Sequence, residues 1–443
     1  MYPLYNLLFN LWLRLYGPTL LRKQQKRGRP LADIQQRLGD VSSLPEHSPK
    51  QTVWFHSCSV GETLSLQKLV ADFHRVEPEV RLVFTTVTST GQAVARERFA
   101  KYGDNCVFYL PLDTVKSVDQ TLDRIDPDLL VIVDTEIWPN LVRQAKRRGI
   151  SVVMVNGRIS PKSFRMYRWV VPMLAQVFEN YRAILAGSKV DAERLQLLGA
   201  RPSKIETPGN LKYDIASGPI DPSKIGTLDT DLKLHSICGP LIVAGSTHEG
   251  EDEIVIEAFS EVRKSPEGGD ATLLLAPRHP ERAATIEQLV LNAGFTVKLR
   301  SQECTNQTDV IILDTVGELA AAYSFATIAF VGGSLVPVGG HSILEPAAFS
   351  KPTIVGPYMQ NSPGVIDVFQ ERDAVLQIHD SESQAQCSSL AKEFSSLIQN
   401  PERAKQIGET ARQILDENSG ATDRILSLLR TYLSERAPAG TSV

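Results

Sequence analysis

Two glutamates and a doubled glycine turn are the residues of this 443-residue chain best placed, by type and spacing, to do chemistry. Glu62 follows Trp54-Phe55-His56 and Ser57-Cys58-Ser59-Val60-Gly61, and behind it Leu66, Leu69, Val70 and Phe73 recur at helical spacing. An acid at a helix N-terminus is an ordinary cap, and the same dipole keeps a general base ionised beside an acceptor hydroxyl. Glu136 lies in Asp134-Thr135-Glu136-Ile137-Trp138-Pro139-Asn140, after the apolar run 129–133, with Pro139 suited to a first helical turn. Two carboxylates from different strand ends read as a base and its orienting partner, or as two independent caps.

The glycines fall in VGGSLVPVGGHSILEPAAFSKPTIVGP, residues 331–357. The pattern predicts a buried strand over 327–331, a turn at Gly332 and Gly333, a second at Gly339 and Gly340, and a helix over 343–349. Glycine lets main-chain amides approach an anion, and a helix start after His341 adds free donors, so a phosphate can sit there without a metal. Glu345, one turn in, can accept both hydroxyls of a ribose; the plainer alternative is a dipole-complementing acid. Ser246 lies in Ala244-Gly245-Ser246-Thr247-His248-Glu249-Gly250, and Arg278 and His279 in Ala276-Pro277-Arg278-His279-Pro280-Glu281-Arg282. Both runs read as strand ends opening into helices. Arg278 offers an always-charged, bidentate contact to a departing phosphate, and His248 and His279 add hydrogen bonds, although a lone histidine is more often structural. No HExxH, Walker or paired-aspartate sequence calls for a metal, so electrostatic stabilisation falls to Arg, Lys and helix ends.

Short apolar runs alternating with amphipathic stretches must position these groups. Runs at 53–56, 82–86, 107–110, 129–133, 152–155 and 183–186 read as parallel strands, and after residue 238 the alternation resumes at 241–244, 272–276, 295–299, 310–313, 327–331, 352–355 and 374–378. The α/β pattern predicts two doubly wound, Rossmann-like domains, 31–214 and 239–400, facing a central cleft, with ligands beyond the carboxyl ends of the strands. A Gly-, Pro- and Asp-rich stretch at 215–238 reads as the linker. Residues 401–443 read as a helical segment and tail, broken near Asn418-Ser419-Gly420, that braces one domain on the other.

A formal net charge of −4 argues against a general nucleic-acid binder. Five scattered cysteines (Cys58, Cys106, Cys238, Cys304 and Cys387) without a CxxC pair indicate neither a disulfide framework nor a zinc site. Residues 1–30 stand apart. Leu4, Leu7, Leu8, Leu11 and Leu15 form an apolar helical stripe opposite Asn6, Asn10 and Arg14, and Arg22, Lys23, Lys26, Arg27 and Arg29 follow. Arg14 in the middle makes this an interfacial or obliquely inserted helix rather than a span, with basic residues for anionic headgroups on the cytoplasmic side; the alternative is a helix packed on its own domain.

Taken together, SVGE at 59–62, DTEIWPNL at 134–141, NGRIS at 156–160, GNLKYD at 209–214, GSTHEGE at 245–251, PRHPER at 277–282 and GGSLVPVGGHSILEP at 332–346 resemble the 3-deoxy-D-manno-oct-2-ulosonic acid (Kdo) transferases of lipopolysaccharide synthesis. The resemblance implies a GT-B fold and an inverting glycosyltransferase that moves Kdo from CMP-Kdo to a lipid A precursor (lipid IVA), without cofactor or metal, at the cytoplasmic face of the inner membrane. By motif it makes Glu62 the base and Glu136 the acid that fixes it. It assigns Ser246, Arg278, His279, Gly332, Gly333, Gly339, Gly340, His341 and Glu345 to the CMP-sugar and offers Lys212 as a phosphate contact. The chain departs from the pattern at Asp134, where Glu is common, at Gly157, where Ala is common, and at Ser342, where Asn is common. A UDP-sugar 2-epimerase uses a similar two-domain cleft but leaves the amphipathic N-terminus unexplained, and a non-catalytic membrane protein that kept the fold is the second rival.

Overall fold

Strands buried on both faces, and joined by helices that cover those faces, build two separate parallel sheets. The computed structural model describes residues 2–26, 31–44, 51–216, 218, 221–302 and 308–435. The first sheet runs β3-β2-β1-β4-β5-β6-β7, with β1 Thr52–His56, β2 Arg81–Thr86, β3 Val107–Tyr109, β4 Leu129–Val133, β5 Ser151–Gly157, β6 Ala183–Ala186 and β7 Ile205–Glu206. The second runs β10-β11-β9-β8-β12-β13-β14, with β8 Leu241–Thr247, β9 Thr272–Pro277, β10 Val297–Leu299, β11 Val310–Ile312, β12 Ile328–Val331, β13 Thr353–Val355 and β14 Leu376–Gln377. Every neighbouring pair is parallel, as the βαβ alternation requires. Only β7 had no counterpart among the apolar runs; two residues paired at a sheet edge leave no period to read.

In the first unit, side chains that alternate along a strand feed two cores. Val53, Phe55, Leu129 and Val131 pack on one face, and Trp54, Leu130, Ile132 and Met154 on the other. The helix Ala421–Ser434 returns to the first of these faces and buries Ile425, Leu429 and Leu433 there. Asp214 holds the start of that helix, accepting from the Gly420 amide at 2.6 Å and also from the Thr422 amide. The first unit therefore comprises residues 1–215 and 419–443, and the second 216–418.

That division differs from the expected one at two points. Residues 215–238 do not form a linker throughout: Asp221 caps the helix Pro222–Leu232 by accepting from the Ser223 amide at 2.9 Å, and Leu228, Leu232 and Leu234 are buried. The Asp-Pro-Ser sequence that suggested a loop is the start signal of that helix. The expected boundary at residue 400 moves to 418, because Ala404 and Ile407 of the helix Pro401–Asn418 join the core of the second unit.

The N-terminal helix Tyr2–Lys26 turns its leucines outward: Leu4, Leu7, Leu8, Leu11 and Leu15 are each more than half exposed. The alternative of a helix packed on its own domain holds at another edge, where Tyr2 is buried and Tyr5 and Asn6 hydrogen-bond to Asp113 and Asn140, while the leucine stripe faces away. Among the described residues no helix is long and apolar enough to cross a membrane. The side chains of Arg22, Lys23, Lys26, Arg27 and Arg29, and Cys304, lie outside the described residues.

Candidate active site

In the first sheet, connections run one way from β1 through β2 to β3 and the other way from β4 outward, so the strand order reverses between β1 and β4. A reversal leaves a crevice at the carboxyl ends of the two strands, and Glu62 and Glu136 follow those two ends. Ser59 caps the short helix Val60–Ser65, and the Glu62 side chain folds back on the same turn. Its Oε1 accepts from Ser59 Oγ at 2.8 Å and its Oε2 from the Cys58 amide at 2.5 Å. Burial raises the Glu62 pKa and the Asp134 charge adds to that, while the two Ser59 contacts and the Cys58 amide act in the opposite direction. Burial, then Glu62 and Asp134, push Glu136 up to about 7. Burial followed by the charges of Glu136 and Glu62 pushes the Cys58 thiol up to about 12. The crevice thus pushes both carboxyls up, and Glu136 readily holds a proton near neutral pH. The donor atoms of Cys58, Glu62 and Glu136 lie within 4.8 Å of one another, close enough to share one cation, a grouping that no metal motif in the sequence announces.

Asp134 and Asn156, at the ends of β4 and β5, adopt left-handed backbone with φ of 56° and 58°, a conformation Asn and Asp tolerate better than other side chains. Asn156 Nδ2 donates to Asp134 Oδ1 at 2.6 Å, and Asn156 Oδ1 accepts from the Leu211 amide at 3.3 Å. This ties the strand ends to the helix Leu211–Ala216, which carries Lys212. Burial lowers the Lys212 pKa and Arg158 lowers it further, whereas Asp134 and Glu62 oppose the shift. Lys212 therefore stands with the acids of the first unit. Asp134→Asn keeps both shape and backbone preference but removes a charge that raises Glu62 and Glu136. The expected outcome is an acid limb of kcat/KM displaced to lower pH, because Glu62 stays ionised further down; an unmoved limb would separate Asp134 from the titration of the base.

The second sheet reverses between β8 and β12, and the remaining candidates gather at those carboxyl ends. Ser246, at a register shift in β8, has φ of 57°, a strained conformation for serine. Gly332 faces it: a Cβ there would lie 2.6 Å from the Ser246 carbonyl oxygen, so only glycine lets the two strand ends come this close. His248 and His341 stack with ring centroids 5.1 Å apart and share a hydrogen bond of 2.9 Å between their Nε2 atoms, one donating and the other accepting. His279 meets His248 edge-on at 5.8 Å. Burial, then His248, Arg278 and His279, hold His341 down at about 4, so the pair is neutral at physiological pH. Arg278 and His279 are exposed on the same rim. Loss of hydration pushes the Glu345 carboxyl up to about 7, which leaves it ready to act as a hydrogen-bond donor or acceptor.

One expectation for the glycine turn is corrected. The amides of Gly333, Ser334 and Leu335 are not waiting for a phosphate; they donate to the buried carboxylate of Glu251 at 2.6, 2.9 and 2.7 Å, and the His248 amide donates to it at 2.8 Å. Gly339 and Gly340 direct their amides to Gly333 O at 3.1 and 2.7 Å. The helix after His341 is also shorter than expected, spanning Leu344–Ala347. A ligand phosphate is left the histidines, Arg278 and the start of that short turn. Glu251 was missed because an acid opening a helix, here Asp252–Arg263, looks like a dipole cap. The available signal was its neighbour: Asp252 is also wholly buried, pairs with Arg282 and accepts from Thr247 Oγ1 at 2.6 Å, and two consecutive buried acids exceed what capping needs.

Comparison with known proteins bears on the family and the fold. Residues 32–215 match the family described as 3-deoxy-D-manno-octulosonic-acid transferase (kdotransferase). A 3-deoxy-D-manno-octulosonic acid transferase of Haemophilus influenzae is 34% identical over 87% of this chain and 88% of its own length. The chain belongs to the 3-deoxy-D-manno-octulosonic acid transferase family. Within that family a Chlamydophila psittaci transferase is 28% identical over 94% of this chain and 93% of its own length. A bifunctional glycosyltransferase/methyltransferase of Fusobacterium nucleatum is 32% identical over 94% of this chain but only 61% of its own length. Among solved structures, a Rickettsia africae glycosyltransferase (TM-score 0.55, 14% identity, 88% of this chain and 100% of that one) shares the fold. So does a Neisseria meningitidis UDP-GlcNAc 2-epimerase (TM-score 0.58, 13% identity, 86% and 100%). The Kdo transferase family member described here is thus a glycosyltransferase with the GT-B fold.

Proposed function

We propose that this enzyme transfers Kdo from CMP-Kdo to a lipid A precursor, with inversion at the anomeric carbon. The observation that carries the reading is Glu62, a half-buried carboxylate oriented by Ser59 Oγ and the Cys58 amide at a strand-order reversal. In one displacement the acceptor oxygen attacks the anomeric carbon, its proton passes to Glu62, and the bond to the cytidylate oxygen breaks. Arg278 and the histidines of the second unit offset the charge on the departing phosphate, and Glu345 takes the ribose. Glu136, coupled to Glu62 through charge, shares its proton balance.

A lipid acceptor agrees with the surface of the first unit. Besides the outward leucines of the N-terminal helix, Trp169 is 89% exposed, with Met166 and Val170 also exposed and Lys162, Arg165 and Arg168 around them. Tryptophan with basic neighbours suits the interface of an anionic membrane, which supports a cytoplasmic-face, membrane-associated location. The test is turnover of the full chain with CMP-Kdo and tetraacylated lipid A precursor, followed by mass spectrometry. Mass gains of one or more Kdo units are expected, undiminished by EDTA. CMP binding without product would redirect the reading to another acceptor, and loss of turnover on chelation would give Cys58, Glu62 and Glu136 a metal to hold.

A further inference from the structure

The N-terminal helix meets its unit through a polar edge, and that edge leads to the Glu136 turn. Tyr5 Oη donates to Asp113 Oδ2 at 2.8 Å, Asn140 Nδ2 donates to Asn6 Oδ1 at 2.6 Å and to Asp113 O at 2.6 Å, and Asn180 Nδ2 donates to Tyr2 Oη at 2.9 Å. The Arg143 guanidinium lies 4.1 Å from the centre of the Tyr2 ring.

Asp113 is 1% exposed, and its carboxylate serves a second element. Oδ2 accepts from the Asn140 amide at 3.0 Å and Oδ1 from the Leu141 amide at 2.9 Å. Those amides open the helix Pro139–Arg147, whose own cap residue, Trp138, makes no side-chain capping bond. Asp113 therefore caps this helix from another part of the chain, and its Oδ2 is shared between the cap and Tyr5. The capped helix starts three residues after Glu136. On the near side of the turn, Thr135 Oγ1 donates to Arg158 O at 2.6 Å and accepts from the Arg158 amide at 2.9 Å. Glu136 is thus suspended between two fixed points, one of which is completed by the N-terminal helix.

We propose that Tyr5 and Asp113 are positioning residues for Glu136, so that the N-terminal helix is part of the active-site scaffold as well as a lipid contact. The catalytic part of this inference rests on the Kdo-transfer reading; the structural part does not. Removing the Tyr5 hydroxyl takes one of three donors from a buried carboxylate, and the cap, the first turn of Pro139–Arg147 and the preceding residues loosen together.

The experiment uses full-length Tyr5→Phe, with Asp113→Asn as a second variant, assayed in detergent so that anchoring is not limiting. Three quantities are read: kcat with KM for donor and acceptor, hydrogen exchange of 134–141, and binding to phosphatidylethanolamine vesicles containing one part in about four of phosphatidylglycerol. For Tyr5→Phe, kcat falls about 10- to 100-fold with KM for the donor unchanged, exchange over 134–141 accelerates, and vesicle binding persists because the leucines are untouched. Wild-type kcat together with wild-type exchange overturns the proposal, as does a loss confined to vesicle binding. If the wild-type enzyme transfers no Kdo, the functional reading fails while the exchange measurement still decides whether the helix holds the turn.

Discussion

Glu62→Gln is expected to lower kcat by about 10²- to 10⁴-fold, the range a general base supplies, with CMP binding by the second unit unchanged. Gln matches Glu in size and keeps an oxygen for the Cys58 amide, and the Ser59 hydroxyl can rotate to accept from the new amide, so the capped turn survives. What disappears is the ability to take a proton. Mass-resolved turnover and calorimetric CMP titration separate the two effects, and a loss below about tenfold would remove Glu62 from the role of base. The same substitution has a second readout. The Glu62 charge is one of the influences holding the Glu136 pKa at about 7, so in Glu62→Gln that pKa falls, visible as a downfield shift of the Glu136 side-chain carboxyl resonance at lower pH. A Glu136 titration indifferent to residue 62 would contradict the coupling of the two acids.

Both sheets were legible because their strands are buried on both faces and read as continuous apolar runs such as Leu129–Val133. Pairing order is not written in those runs, yet the polar residues that follow β1, β4, β8 and β12 could be named as candidates without it, and the strand order reverses at those ends. Features that depend on distant partners were not legible. Asp113 caps a helix that begins 26 residues later, Asp214 caps one that begins more than 200 residues later, and neither spacing has a period. The linker reading failed for a related reason: Asp221-Pro222 signals a turn and a helix start equally well, and only the burial of Leu228 and Leu232 decides between them. At the N-terminus the leucine stripe was legible, but the opposite line of Asn6, Asn10 and Arg14 is not as a whole the face toward the protein: Asn10 and Arg14 are exposed, and the contact depends on Tyr5 and Asn6 finding Asp113 and Asn140.

The second large effect is expected at Glu251. Its carboxylate takes the amides of His248, Gly333, Ser334 and Leu335 in a site with no exposed surface, so it occupies the place where an anion from solution was first expected. Glu251→Ala leaves four buried donors unmatched. At about 1–3 kcal/mol for each unsatisfied group, with water entering the cavity to offset part of it, the loss is on the order of 3–5 kcal/mol. Glu251→Gln keeps one acceptor oxygen and places an amide donor against the remaining N–H groups, so its loss is smaller but of the same sign. Because the chain folds as two units, global unfolding need not be two-state, and the appropriate measurement is hydrogen exchange of residues 333–335 in rising urea. Their protection should collapse before that of β1 and β4 in the first unit. CMP affinity should fall in parallel, since the same carboxylate fixes His248 against His341 and sets the turn from which Gly339 and Gly340 hang. If both variants kept wild-type protection and CMP affinity, Glu251 would be an incidental cap, and the glycine turn would owe its shape to its own backbone.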